Sequence, residues 1–457
     1  MGQNICTGNI IEQGFGILFA NRLSDEGIML PFGNNVAKRV FSDKLARTSA
    51  WLSIGFLVSG LFNYGFQVAM GRLLLPTEFG FLNVLLGVFV VLSVPVGTLL
   101  MVVARQTAEY RANNDLAKVR GLFISTNRFV LKYGLIGFVL FVLASGYIAQ
   151  YLRAPSVAPV FLLGLGLLAA IATPVNTAIL QGLQDFKWLG FIQGLTGPIR
   201  FFFCVLMVVM GFGVNGVLFG LLAGSISLWI LAYLPLRRHL PSMPDATVFG
   251  AISFRQCFAV FLANFAFTVI TQLDIILVNR HFPANVSSMY IAAAVLGRTV
   301  MYIPGTIALA MFPMISEKQA QNSDSRPLLH KAVMLTLLLS GSSALLFFLA
   351  PEWILATFFG ARYLGAAVIL KYYGLAMLPM ALLLVLFNYM MACGKPGFSY
   401  FLLLGAMLEL FLINFYHYSL LWVVFFIALS SFVLVVVGFL QIQFVRAPSG
   451  DQVKASA

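Results

Sequence analysis

Twelve stretches of this sequence run for about 20 residues or more with hardly a charge: 49–70, 79–104, 129–152, 156–182, 189–210, 213–236, 257–279, 288–315, 331–351, 366–392, 397–416 and 419–445. A helix rises about 1.5 Å per residue, so a run of roughly 20 apolar residues crosses the ~30 Å hydrocarbon core of a bilayer. Backbone polar groups find no water there, and only helices and closed barrels satisfy them internally. Runs this long exceed a barrel strand. They predict an all-α polytopic membrane protein with about twelve transmembrane helices. Charged residues make up 9% of the chain, against about 25% in soluble domains, too few to coat a surface that faces water.

The connectors are short and carry helix breakers: Arg153-Ala154-Pro155-Ser156, Gly211-Phe212-Gly213 and Gly394-Lys395-Pro396-Gly397. The longest polar connectors, 105–128, 237–256 and 316–330, are too small to form a domain. Residues 1–45 contain no run able to span, no basic start followed by a cleavable apolar core, and no Ser or Thr where a myristoylation signal wants one. They read as a cytoplasmic leader. The expected organisation is therefore leader 1–45, a six-helix bundle 46–240, a cytoplasmic linker 241–256, a second six-helix bundle 257–445 and a cytoplasmic tail 446–457.

Lys and Arg resist translocation, and their placement orients the chain. With the N-terminus inside, the inner segments hold 21 of the 28 basic residues, and the outer connectors hold only Arg72, Arg153, Arg280 and Arg362. Both termini are expected in the cytoplasm. The net charge of +13 then belongs to inner connectors rather than to a nucleic-acid surface. Four scattered cysteines and four histidines form no metal-ligand spacing and no disulfide framework.

The two halves echo each other. Arg72 and Arg280 lie 208 residues apart, as do Gly97 and Gly305, Thr98 and Thr306, and Glu109 and Glu317; Pro95 and Pro304 differ by 209, and Pro76 and Pro283 by 207. Six helices per half is an even number, so both halves enter the membrane in the same direction. That predicts bundles related by an axis along the membrane normal, as in parallel-repeat transporters.

The stretches GRLLLPTEFGFLNVL (71–85), RQTAEYRANND (105–115), TQLDIILVNRHFPANVSSMYIAAAVLGR (271–298) and FFGARYLGAAVIL (358–370) carry a family resemblance. The sequence resembles, from about Ser42 to Phe444, the bacterial polysaccharide-biosynthesis flippases of the multidrug/oligosaccharidyl-lipid/polysaccharide exporter superfamily. The resemblance implies a multi-pass protein of the bacterial cytoplasmic membrane that moves lipid-linked oligosaccharides by alternating access. Its partners would be that substrate, membrane lipid, H+ or Na+, and other polysaccharide assembly proteins. No covalent chemistry, catalytic residue, metal or cofactor is implied.

Charges inside spans cost at least about 2.5–3.5 kcal/mol each and face a partner or a wet cavity. Arg200, Arg298 and Glu409 fall near mid-span; Asp274 falls near the outer end of the seventh run. Polar stripes surround them: Ser59, Asn63 and Gln67; Gln193, Thr196 and Arg200; Asn264, Thr268, Thr271 and Asp274; Tyr290, Arg298 and Tyr302. Guanidinium forks match phosphate oxygens. Arg200 and Arg298 are therefore candidates for an anionic headgroup, Asn63, Gln67, Asn264 and Thr271 for sugar hydroxyls, and Asp274 or Glu409 for ion coupling. Opposed readings stand beside these: polar residues in spans often bond only to neighbouring helices, Arg200 and Glu409 could form a structural pair, and Arg72 could cap its own helix among headgroups. Pro95, Pro198 and Pro304 are candidate pivots.

Other functions fit less well. A multidrug or small-molecule antiporter coupled to cations would share the fold but centre on acids. A glycan polymerase or ligase needs a large outer loop, and an ATP-driven exporter needs a GxxxxGK[ST] loop; the sequence has neither.

Overall fold

The computed structural model describes residues 44–239, 254–320, 323–393 and 397–444. The leader up to residue 43, most of the 241–256 linker and the tail 446–457 lie outside the described residues. The chain divides by contact at Trp51 into two units. Of the first, only the helical residues 44–51 are described, and the second is treated below.

Among the described residues the helices are α1 (Lys44–Leu73), α2 (Pro76–Ala112), α3 (Leu116–Tyr151), α4 (Ala158–Gly182), α5 (Phe186–Val209), α6 (Gly213–His239), α7 (Phe254–His281), α8 (Ala284–Gly297), α9 (Tyr302–Ala320), α10 (Arg326–Leu349), α11 (Pro351–Phe358), α12 (Ala367–Ala392), α13 (Phe398–Phe415) and α14 (Leu420–Phe444). Two 3-10 turns, Arg298–Met301 and Ala361–Ala366, join α8 to α9 and lead into α12. Among the described residues, twelve segments are long and apolar enough to cross a membrane, as the runs predicted. The short α11 is not among them.

The connector expected over 105–128 is mostly helix. Lipid solubility ends near Arg105, but helix propensity does not: Ala, Gln, Glu and Arg are good helix formers in water. Arg105 pairs with Glu109 at 3.1 Å one turn on. The helix stops instead at Asn113-Asn114-Asp115, where Asn114 adopts φ +55° and the Asp115 carboxylate accepts from the Lys118 amide at 3.1 Å, capping α3. Asp115 also pairs with the Lys118 ammonium at 2.6 Å, and its carboxyl is held below the usual carboxylate range, chiefly by that side-chain contact. Gln184 at φ +56° and the cap Asp185, which accepts from the Trp188 amide, repeat the device between α4 and α5.

Packing falls into two groups. In the first, α4 packs with α2, α3, α5 and α6, and α6 also packs with α5 and α2; in the second, α12 packs against α8, α9, α10 and α14, while α13 packs on α7. The first span joins its group where Gly55 meets α5: a Cβ at Gly55 would lie 2.3 Å from the Gly190 carbonyl oxygen. Only small residues permit helix backbones to approach so closely, and such contacts drive association in lipid.

The groups meet where α2 packs against α7 and α8. Along α2, residues 79–87 are all buried, whereas Val90, Leu92 and Met101 are exposed. Along α8, Tyr290–Ala294 and Gly297 are buried, whereas Tyr302 and Ile303 beyond the turn are exposed. The halves touch on the side of the membrane where α2 and α8 begin and part farther along.

Pro95, Pro174, Pro198, Pro235 and Pro379 lie inside helices. Pro304 does not interrupt one. It sits in the first turn of α9, where a missing N–H leaves nothing unsatisfied, and the break in this span is the 3-10 turn at Arg298.

Candidate functional site: a buried ion pair in the second half

Asp274 lies seven residues before the end of α7, about 10 Å in from it, deeper than expected because α7 continues to His281. Its side chain is 2% exposed. Arg298, where α8 gives way to the 3-10 turn, places Nη2 at 2.5 Å from Asp274 Oδ1. The rest of the fork is also engaged: Nη1 donates to Gln272 Oε1 at 3.0 Å and Nε to the Tyr373 hydroxyl at 3.3 Å. Asp274 Oδ2 accepts from Tyr290 at 3.0 Å and from Tyr373 at 2.7 Å. Two charges and two phenols from α7, α8 and α12 thus satisfy one another, which is the condition under which a buried pair is tolerated.

Gly297 makes room for this arrangement: a Cβ there would lie 2.4 Å from the Tyr373 ring. Thr271, Asp274, Arg298, Met301 and Tyr373 line a cavity of about 10 Å³, the size of about one water.

Arg298 has no acid on its own helix face, and the partner comes from α7. It is consequently not the free cation the sequence suggested. Arg200 is. Its guanidinium packs over the Phe66 ring of α1 at 4.5 Å, a cation–π contact, and its Nε is buried without a hydrogen-bond partner. The Oε1 of Gln67, the residue after Phe66, is likewise buried and unpartnered. An Arg200–Glu409 pair is not formed. Glu409, fully buried on α13, accepts from Ser430 of α14 at 2.8 Å through Oε2, and its Oε1 has no partner.

The remaining candidates bond within their own helices: Asn63 donates to the Ser59 carbonyl, Asn264 to Val260 and Thr271 to Thr268. Asn63 and Asn264 are half-buried, and only Thr271 joins the Asp274 cluster. Tyr373, Gln272 and Ser430 were not anticipated, because no helical spacing links them to Arg298 or Glu409. Among the described residues, no group of three or more His, Cys, Asp or Glu could hold a metal ion.

The chain shares its fold with solved membrane transporters. An inward-facing multidrug resistance MATE family transporter of the MOP superfamily superposes with TM-score 0.72 at 13% identity, covering 87% of this chain and 97% of that one. The lipid II flippase MurJ in an inward closed conformation gives 0.66 at 14% identity, covering 86% and 87%. An outward-facing MATE family transporter gives 0.62 at 14% identity, covering 87% and 94%. A search of curated proteins found no match. The fold defines a multi-pass helical membrane protein built like the MOP-superfamily transporters. The family model for polysaccharide biosynthesis protein matches residues 69–368, most of the chain, and the protein belongs to that family.

Proposed function

We propose that this protein is a flippase of the bacterial cytoplasmic membrane that carries polyprenyl-(pyro)phosphate-linked oligosaccharide units from the inner to the outer leaflet by alternating access. The observation that carries the reading is Arg200: a half-buried guanidinium in a span, with no acid partner among the described residues and its Nε buried without a hydrogen-bond partner. Such a group needs an anion to complete it, and a lipid-linked sugar phosphate offers one. Gln67, Asn63, Asn264 and Thr271 serve the sugar hydroxyls. Membership of a polysaccharide biosynthesis family supports the cargo class. Both termini lie in the cytoplasm, and the side carrying Arg72 faces outward, in keeping with the distribution of basic residues.

Asp274 and Glu409 supply ion coupling in this reading. Glu409 keeps an unpartnered oxygen, and Asp274 exchanges Arg298 for a proton or sodium ion during the cycle. Because these acids are buried in the second half, a cation-coupled multidrug antiporter is the second reading.

Deletion of the gene separates the two. A flippase predicts loss of surface polysaccharide with lipid-linked repeat units trapped on the inner leaflet; normal arrival of those units on the outer leaflet overturns the proposal. Raised drug sensitivity with intact polysaccharide favours the antiporter.

A further inference from the structure

The four arginines of the outer connectors do not point into solvent as a set of unrelated charges. Arg72, at the end of α1, donates from Nε to the Phe358 carbonyl at 3.0 Å and from Nη2 to the Thr357 carbonyl at 2.5 Å, across to the second half. It does not cap its own helix. Arg153, just past α3, donates to the Phe282 carbonyl at 3.1 Å, also in the second half. In return Arg362 donates to the Leu74 carbonyl at 3.3 Å, and Arg280 packs over the Tyr151 ring at 5.2 Å, both in the first half. Asn279 adds a bond to the Leu152 carbonyl at 2.7 Å.

Two of these contacts are images of each other. Arg153 and Arg362 differ by 209 residues and their acceptors Leu74 and Phe282 by 208, the offset of the sequence repeat. The acceptors share a place in the fold. Leu74, Leu152 and Phe282 immediately follow α1, α3 and α7, and Thr357 and Phe358 close α11. The last carbonyls of a helix have no partner within it and carry the negative end of its dipole. Each of these helix ends is thus capped by a side chain from the opposite half. Arg153 adopts φ +53° in the left-handed cap that closes α3, its amide and that of Ala154 bonding to the Gln150 and Ala149 carbonyls. Between described residues, the side-chain hydrogen bonds that join the halves all lie on this side, where the buried stretches of α2 and α8 also meet.

We infer that Arg72, Arg153, Arg280 and Arg362 form a pseudo-symmetric latch that sets the balance between the state closed on the Arg72 side and the state open there. Arg72, Arg153 and Arg362 are exposed, so on opening, water takes over at the carbonyls and the guanidinium groups, and the latch is reversible. The inference rests on the transporter reading only through alternating access, and it does not depend on the cargo.

Spin labels at Ser156 and Glu352, on the Arg72 side, and at Asn113 and Ser323, on the other, test it by distance measurement on substrate-free protein in vesicles. Arg153→Ala and Arg362→Ala are each expected to raise the population parted on the Arg72 side by about threefold to tenfold, from the worth of one such bond. The two effects should be similar in size and multiply in the double variant. Arg72→Ala and Arg280→Ala should move the same equilibrium, with the opposite side closing as this one opens. Arg105→Ala, at the far end of α2, should change nothing. Wild-type distance distributions in all four latch variants would overturn the inference, as would parting of one side without closure of the other. A failed flippase assay leaves these distances untouched and bears only on the cargo.

Discussion

Arg298 and Asp274 lie 2.5 Å apart on different helices, and Tyr290 and Tyr373 close the same carboxylate from two further directions. Removing one member leaves the other charged and buried, at a cost of about 3–5 kcal/mol. Asp274→Asn and Arg298→Gln should each lower unfolding stability in detergent by that order. The double variant should lose clearly less than the sum, and strict additivity would show that the pair is not coupled.

Arg200 differs because no acid among the described residues answers it. Arg200→Ala is expected to leave thermal stability within about 1–2 kcal/mol of wild type, the worth of a buried cation–π contact. Binding of polyprenyl phosphate should weaken about tenfold to a hundredfold, from the 1.5–3 kcal/mol of a charge-assisted hydrogen bond. Titration by native mass spectrometry reads this directly, and unchanged affinity would remove Arg200 from the site.

Gly55 and Gly60 lie on the same span but have different neighbours. Gly55→Val drives side-chain atoms into the backbone of α5 and should destabilise by about 1–3 kcal/mol or more. Gly60 has nothing within 4 Å, so Gly60→Ala should be neutral or gain up to about 1 kcal/mol from helix propensity. Equal effects on unfolding in detergent would contradict the close α1–α5 crossing.

The turn before α3 should respond to pH. The Asp115 carboxyl sits below its ordinary range because of Lys118, so the unfolded chain takes up its proton first. The stabilisation is fully present above the ordinary carboxylate pKa of about 3.9 and disappears as pH falls through the lower folded value. The protection of the Lys118 amide against hydrogen exchange, taken relative to its intrinsic rate at each pH, should fall in that acid window, and in Asp115→Ala it should be low throughout.

Spans and the repeat were legible because each depends on a local pattern: apolar length for the helices, and a constant offset for Arg72 and Arg280. The connectivity of charges was not. Asp274 and Arg298 lie on separate helices, and Tyr373 enters from a third far along the chain, so a reading of one helix face at a time finds Arg298 alone. Arg72 illustrates the same limit. Its position just inside a connector was plain, but its acceptors lie 285 and 286 residues away. The helix ends beyond Arg105 were misjudged because solubility in lipid and the ability to form a helix change at different residues.

The unbroken buried stretch of α2 from Phe79 to Gly87 has a consequence for how such a protein diversifies. Contact between the two halves is concentrated along this stretch, whereas Val90, Leu92 and Met101 farther along α2 are exposed. Under the proposed alternating access, substitutions along Phe79–Gly87 would shift how long each shape lasts, whereas substitutions at the exposed positions would leave that balance alone, so the two parts of one helix can drift separately.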